Sequence, residues 1–294
     1  MIEPSPHSSR VAIAKSVAAI LVVGVGGFVL GRSTSERPPS PAAPISGSVT
    51  APERIPSDEP PRELGRADLI TLANIAADDS AAKRATSPEV LKAKGRRFEL
   101  RLPFGCNGAA AADSTAAMRW RYDPTEGVLR VHVAPNVWSA SDWWTGAPPA
   151  SVEAIEGFWI PRPWSSSDAC PPADDDPEVS GAEPVTLSGQ TLALAQFSTA
   201  QAARQGRRDG QPLAASLRVP ADQFDSSKGF RIRITGRIAG VPGGGPILCR
   251  QPGGARQRPI CLVATEIGEI VLENAANGDV LATWRLGLRD AGGA

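Results

Sequence analysis

From residue 97 onward, apolar and polar residues alternate along much of the chain. In RRFELRLPF, Phe98, Leu100 and Leu102 alternate with Arg97, Glu99 and Arg101, the period of two of a half-buried strand. MRWRY places Met118, Trp120 and Tyr122 on one face. VLRVHV turns Leu129, Val131 and Val133 inward and Arg130 and His132 outward. The intervening Asp123-Pro124-Thr125-Glu126-Gly127 is a turn, so this region predicts a hairpin with a longer loop. Further strands are predicted over 191–198, 213–219, 230–238, 260–265, 268–273 and 279–286, with Asn277-Gly278 turning the chain before the last.

Before residue 97 the period is helical. Leu69, Leu72, Ala73 and Ala76 recur at helix spacing, which predicts a helix over 66–77. A second is predicted over 88–94, with Ser87 as cap, Pro88 in the first turn and Gly95 as terminator.

The N-terminal part has a different pattern. Residues 11–31 read VAIAKSVAAILVVGVGGFVLG, with no charge from Ser16 to Gly31. As a helix, such a stretch just crosses a hydrocarbon core of about 30 Å. A cleaved signal peptide is the alternative, but no small-x-small site follows Leu30. Residues 32–62 hold eight prolines and cannot bury a core. The expected architecture is mainly β, a sandwich or open barrel of the α+β kind with a short N-terminal helical cap, preceded by one transmembrane helix and a Pro-rich linker. The expected boundaries are a cytoplasmic tail at 1–10, an anchor at 11–31, a linker at 32–62 and a β-rich domain at 63–294.

Four cysteines allow three pairings. Cys249 and Cys261 enclose a Gly/Pro/Arg loop that a bridge would staple, which leaves Cys106 to pair with Cys170. Disulfides suit an oxidising compartment. Together with the anchor they lead to an expected location in a bacterial inner membrane, single-pass, with the C-terminal domain in the periplasm.

Composition removes several chemistries. The 31 basic residues balance 31 acidic ones, which argues against a nucleic-acid partner. Of the two histidines, only His132 lies in the folded part, so no multi-histidine metal site forms and any Ser-His or Cys-His pair must use it. Ser80-Ala81-Ala82-Lys83 matches Ser-x-x-Lys without its companion motifs. VPGGGP at 241–246 lacks the lysine and hydroxyl of a phosphate loop. Asp174-Asp175-Asp176 lacks the spaced ligands of a calcium loop. No catalytic residue, metal or cofactor is assigned, and no motif places the chain in a known family.

Two patterns are candidate binding surfaces. Arginines occupy the polar faces of strands, and in the hairpin Arg119 and Arg121 should share a face with Arg130 and His132. Like charges side by side are unfavourable unless something negative answers. That is either a carboxylate of the same domain (Glu99, Glu153, Glu156 or Glu269) or an anionic ligand. The second pattern is tryptophan: Trp138, Trp143, Trp144, Trp159 and Trp164 fall within 27 residues. In GFWIPRPW, Pro161 and Pro163 cannot donate to a ladder, which predicts an edge strand or extended loop with Phe158 and Ile160 inward. Trp143, Trp144, Trp159, Arg162 and Trp164 are the candidate contact residues, with a lid over the sheet as the alternative. The functional expectation is a membrane-anchored periplasmic protein that works by binding or scaffolding, with cell-wall glycan or an envelope protein as partner. Two other readings stay open: a cell-wall glycan hydrolase using Asp/Glu pairs, and a structural subunit of a membrane complex.

Overall fold

The computed structural model describes residues 62–144, 146–171, 191–198 and 212–286. Helix α1, Arg66–Ala81, opens the domain. Asp68 in its first turn accepts from the Gly65 amide at 2.8 Å, where a negative charge suits the positive helix end. Leu69, Leu72, Ala73, Ala76 and Ala77 form its buried stripe. The helix runs four residues beyond the expected end at 77. Asp79 then accepts from the Ser87 amide at 3.0 Å and ties the helix end to the short helix α2, Pro88–Leu91.

Eleven strands follow among the described residues: β1 (Arg97–Phe104), β2 (Met118–Asp123), β3 (Val128–Val133), β4 (Asn136–Trp138), β5 (Ala154–Trp159), β6 (Leu192–Ser198), β7 (Leu213–Arg218), β8 (Phe230–Ile238), β9 (Ile247–Arg250), β10 (Ile260–Asn274) and β11 (Val280–Arg285). One sheet has the order β1-β8-β10-β6-β5-β4, with β9 and β11 also paired to β10. A second, three-stranded sheet has the order β2-β3-β7. Its inward residues Trp120, Leu129, Val131 and Val133 join Phe98, Leu100, Leu102, Phe230, Ile232 and Ile234 of the large sheet and the stripe of α1 in one core. Full burial of each such side chain contributes about 1.5–3 kcal/mol.

Strand β10 organises the large sheet. Its first half pairs in parallel with β6 and antiparallel with β9, and its second half pairs with β8 and β11. The two strands expected at 260–265 and 268–273 are therefore one, with a register shift between Ile267 and Glu269. Strand β5 is also not an edge: β4 and β6 flank it, and Pro161 and Pro163 fall beyond its end.

Both expected disulfides are present, Cys106–Cys170 and Cys249–Cys261. The second joins register partners on β9 and β10 and closes a loop with a sequence separation of 12. A loop of that size contributes about 3 kcal/mol by chain entropy. Replacing Cys249 and Cys261 by serine is expected to lower Tm by about 5–10 °C in a thermal melt. An unchanged Tm would show that the ladder alone holds β9.

The expected tail at 1–10, anchor at 11–31 and all of the linker except Arg62 lie outside the described residues. Among the described residues no helix is long and apolar enough to cross a membrane. The longest, α1, has 16 residues and carries three aspartates. It spans only about 24 Å at the usual helical rise. This corrects the expected architecture to a β-rich α+β domain with no membrane-crossing helix among its described residues. The membrane as a partner, the single-pass inner-membrane and periplasmic location, and the anchored binding or membrane-complex roles built on them find no support in it.

Candidate functional site

A groove of about 660 Å³ runs along α1. Ile70, Ala73 and Ala77 lie three and four residues apart and form one wall. Leu192, at the start of β6, and Pro259, just before β10, form the other. Pro163 and Trp164 close one side, while Asn74, Thr191 and Arg258 supply polar groups. The two alanines make the groove possible: larger residues would fill the space between the helix and the sheet. The Arg258 guanidinium donates to Asn74 Oδ1 at 3.0 Å and lies 3.7 Å from an Asp78 carboxylate oxygen. It is half exposed, so these contacts are weak and exchangeable.

Trp164 is held there by a residue that sequence reasoning did not single out. Arg66, at the start of α1, is only 6% exposed. Its Nε donates to the Ser165 carbonyl at 2.8 Å, and its Nη2 donates to the carbonyls of Arg162, at 3.1 Å, and Pro161. One guanidinium thus gathers three carbonyls of the turn that carries Pro163 and Trp164. Burial, and then the charge of Arg162, pull the Arg66 pKa below its usual value, while Asp168 opposes them. Arg162 has a left-handed backbone, φ 48°, which turns the chain between the two prolines. Its side chain reaches the Ala169 carbonyl. A buried arginine next to a helix start gives no sequence signal, because its partners are backbone carbonyls about 100 residues away.

The tryptophans divide. Trp138 sits edge-on to Trp143 and Trp159, with centroids 6.3 and 5.2 Å apart. Trp144 packs edge-on to Phe197. With Val152, Ile155, Ala193, Ala195 and Leu262 they build a second, smaller core on the large sheet. Trp143 is 3% exposed and lies under the Arg250 guanidinium, 4.7 Å from its ring centroid, which leaves it no surface to offer a ligand. Trp164 is 59% exposed and stands apart from this cluster, on the groove. Phe158 and Ile160 point inward, at 4% and 0% exposure.

The hairpin arginines do share a face. In the β2–β3 register Arg119 lies opposite His132 and Arg121 opposite Arg130. Arg130 is answered by Glu126 at 2.6 Å and Asp123 at 3.9 Å, both from the hairpin turn. Arg119 and Arg121 donate to the carbonyls of Ala116 and Ala111. Burial, and then the charge of Arg119, hold the His132 imidazole below its usual pKa. The arginines of the other sheet are answered internally. Glu273 of β10 pairs with Arg231 at 2.7 Å and Arg233 at 2.6 Å. Glu99 pairs with Arg101 at 2.6 Å. Glu99 and Glu269 pair with arginines on the large sheet, and on the hairpin face Arg130 is answered by Asp123 and Glu126.

Among the described residues no cluster of three or more His, Cys, Asp or Glu side chains could hold a metal ion. Together, the fold and groove define a β-rich α+β domain with a solvent-open apolar channel rimmed by one tryptophan and one arginine. Comparison of the chain with protein-family models, with curated proteins and with solved structures finds no match.

Proposed function

We propose that this domain is a binding module for a small amphipathic molecule with an unbranched apolar body and an acidic head. The observation that carries this reading is the exposed Trp164 at the edge of an apolar groove in which Arg258 is the single cation among the described residues. A volume of about 660 Å³ falls in the range of pockets that enclose small ligands. The alanine and leucine walls favour a hydrocarbon body over a sugar, which would need several hydrogen-bond partners. Arg258 would exchange its distant contact with Asp78 for the ligand's carboxylate.

Titration of the full-length chain with dodecanoate and with 1-dodecanol, followed by calorimetry, tests this reading. Dodecanoate is expected to bind more tightly than the alcohol. Trp164→Ala should weaken both about tenfold, equivalent to about 1.4 kcal/mol, with Tm unchanged because the side chain is exposed. Arg258→Gln should weaken only dodecanoate and remove the preference. Failure of both probes to bind, or binding that is indifferent to Trp164→Ala, would sink the proposal.

A further inference from the structure

The three-stranded sheet carries a second site, independent of the groove. Its outer face presents a two-by-two array of basic side chains: Arg119 and Arg121 along β2, His132 and Arg130 opposite them on β3. Partners across a ladder stand about 5 Å apart at Cβ, and alternate residues of one strand about 7 Å apart. On the next strand the register places Ala214 beside His132 and Ser216 beside Arg130. Both are exposed and short, so they form a low shelf beside the array.

Such an arrangement is unfavourable in the isolated domain. Arg121 directly faces Arg130, and like charges at opposed positions destabilise a ladder. Among the described residues no carboxylate lies within salt-bridge distance of Arg119 or Arg121; their hydrogen bonds go to neutral carbonyls. Arg130, the one ion-paired member among the described residues, holds its partners at the surface, where its own side chain is 53% exposed and Glu126 is 56% exposed. A pair so exposed exchanges readily for a better anion. The contrast with the large sheet is direct: there each of Arg101, Arg231 and Arg233 has a carboxylate partner within 2.7 Å.

We propose that this face binds a soluble diphosphate, a ligand with two linked phosphoryl groups. Planar guanidinium forks match phosphoryl oxygens two at a time, and the two rows of the array supply one set of donors for each group. His132 adds a ring N–H donor. A single-stranded nucleic acid fits less well. It would need aromatic platforms, and the aromatics of β2, Trp120 and Tyr122, face the other way and pack on Phe224.

The test is titration of the full-length chain with inorganic pyrophosphate at low ionic strength, with orthophosphate and sulfate as parallel arms. Pyrophosphate is expected to bind at least tenfold more tightly than either and to raise Tm. The double variant R119Q/R121Q is expected to weaken pyrophosphate binding at least tenfold, while its Tm without ligand stays level or rises, since it relieves repulsion. R130Q is a second variant, expected to weaken binding less because Arg130 already has partners. No binding to the wild type, equal affinity for orthophosphate, or affinity unchanged in R119Q/R121Q would each overturn the assignment.

Discussion

Glu273→Gln is expected to lower stability by about 3–4 kcal/mol and Tm by about 10 °C. The Glu273 side chain is only 6% exposed and accepts from the Nε of Arg231 at 2.7 Å and of Arg233 at 2.6 Å, with Arg101 at 3.6 Å. Glutamine has the same shape but no charge, so two or three guanidiniums would lose the anion between them. Their exposure of 23–33% lets water recover part of the loss, which keeps the effect at the lower end for a broken buried pair. The pH dependence has a definite sign. Burial pushes the Glu273 carboxyl up, but the hydrogen bonds from Arg233 and Arg231 and their charges outweigh it, and the pKa is held below the usual carboxylate value. A carboxyl depressed on folding contributes its full stability above its unfolded pKa and loses it as pH falls through the folded one. The difference in Tm between wild type and variant should therefore be largest near neutrality and shrink below about pH 4. Equal Tm values at pH 7 would show that the cluster contributes no net stability.

Gly105→Ala is expected to cost about 3–4 kcal/mol, through two causes that add. Gly105 follows β1 with φ 65°, a left-handed conformation that is unfavourable for alanine by about 1–2 kcal/mol. A Cβ there would also stand 2.2 Å from Trp120 Nε1 and 2.4 Å from its Cδ1. The indole cannot simply swing away. It is 4% exposed and packs edge-on to Phe230 and Phe224, with centroids 5.2 and 5.6 Å apart. Forcing an atom into such a core costs about 1–3 kcal/mol more. Gly108 separates the two causes: its φ is 94°, but a Cβ would meet nothing within 4 Å. Gly108→Ala should lose only the backbone part, about 1–2 kcal/mol. Chemical denaturation of both variants checks this, and equal losses would remove the clash from the account.

The groove depends on parts of the chain that are far apart. Trp164 reaches it because Arg66 binds the carbonyls of residues 161, 162 and 165. Arg258 reaches it because β10 and the helix pack against each other. Alternation in the sequence identified the faces of β1, β2 and β3 correctly, including the shared face of Arg119, Arg121, Arg130 and His132. It also anticipated both disulfides, since the short Gly/Pro/Arg loop left only one other pair. The tryptophan-rich segment was less legible. Its composition is the same whether the rings pack on one another or face solvent, and the structure does both: four rings build a small core and one stands out. The apolar run at 11–31 led to a membrane-bound architecture by hydropathy alone, and the described fold carries no such helix.

Local periodicity thus determined which residues of β1, β2, β3 and α1 face inward, because side-chain direction follows from backbone period alone. It could not determine that 260–274 forms one strand with neighbours on both sides, that β5 lies inside the sheet, or which arginines find carboxylates. Those depend on which segments become neighbours in space. Hydrogen-bond partners, ion pairs and the walls of a groove are properties of pairs distant in sequence, so only the tertiary structure decided them.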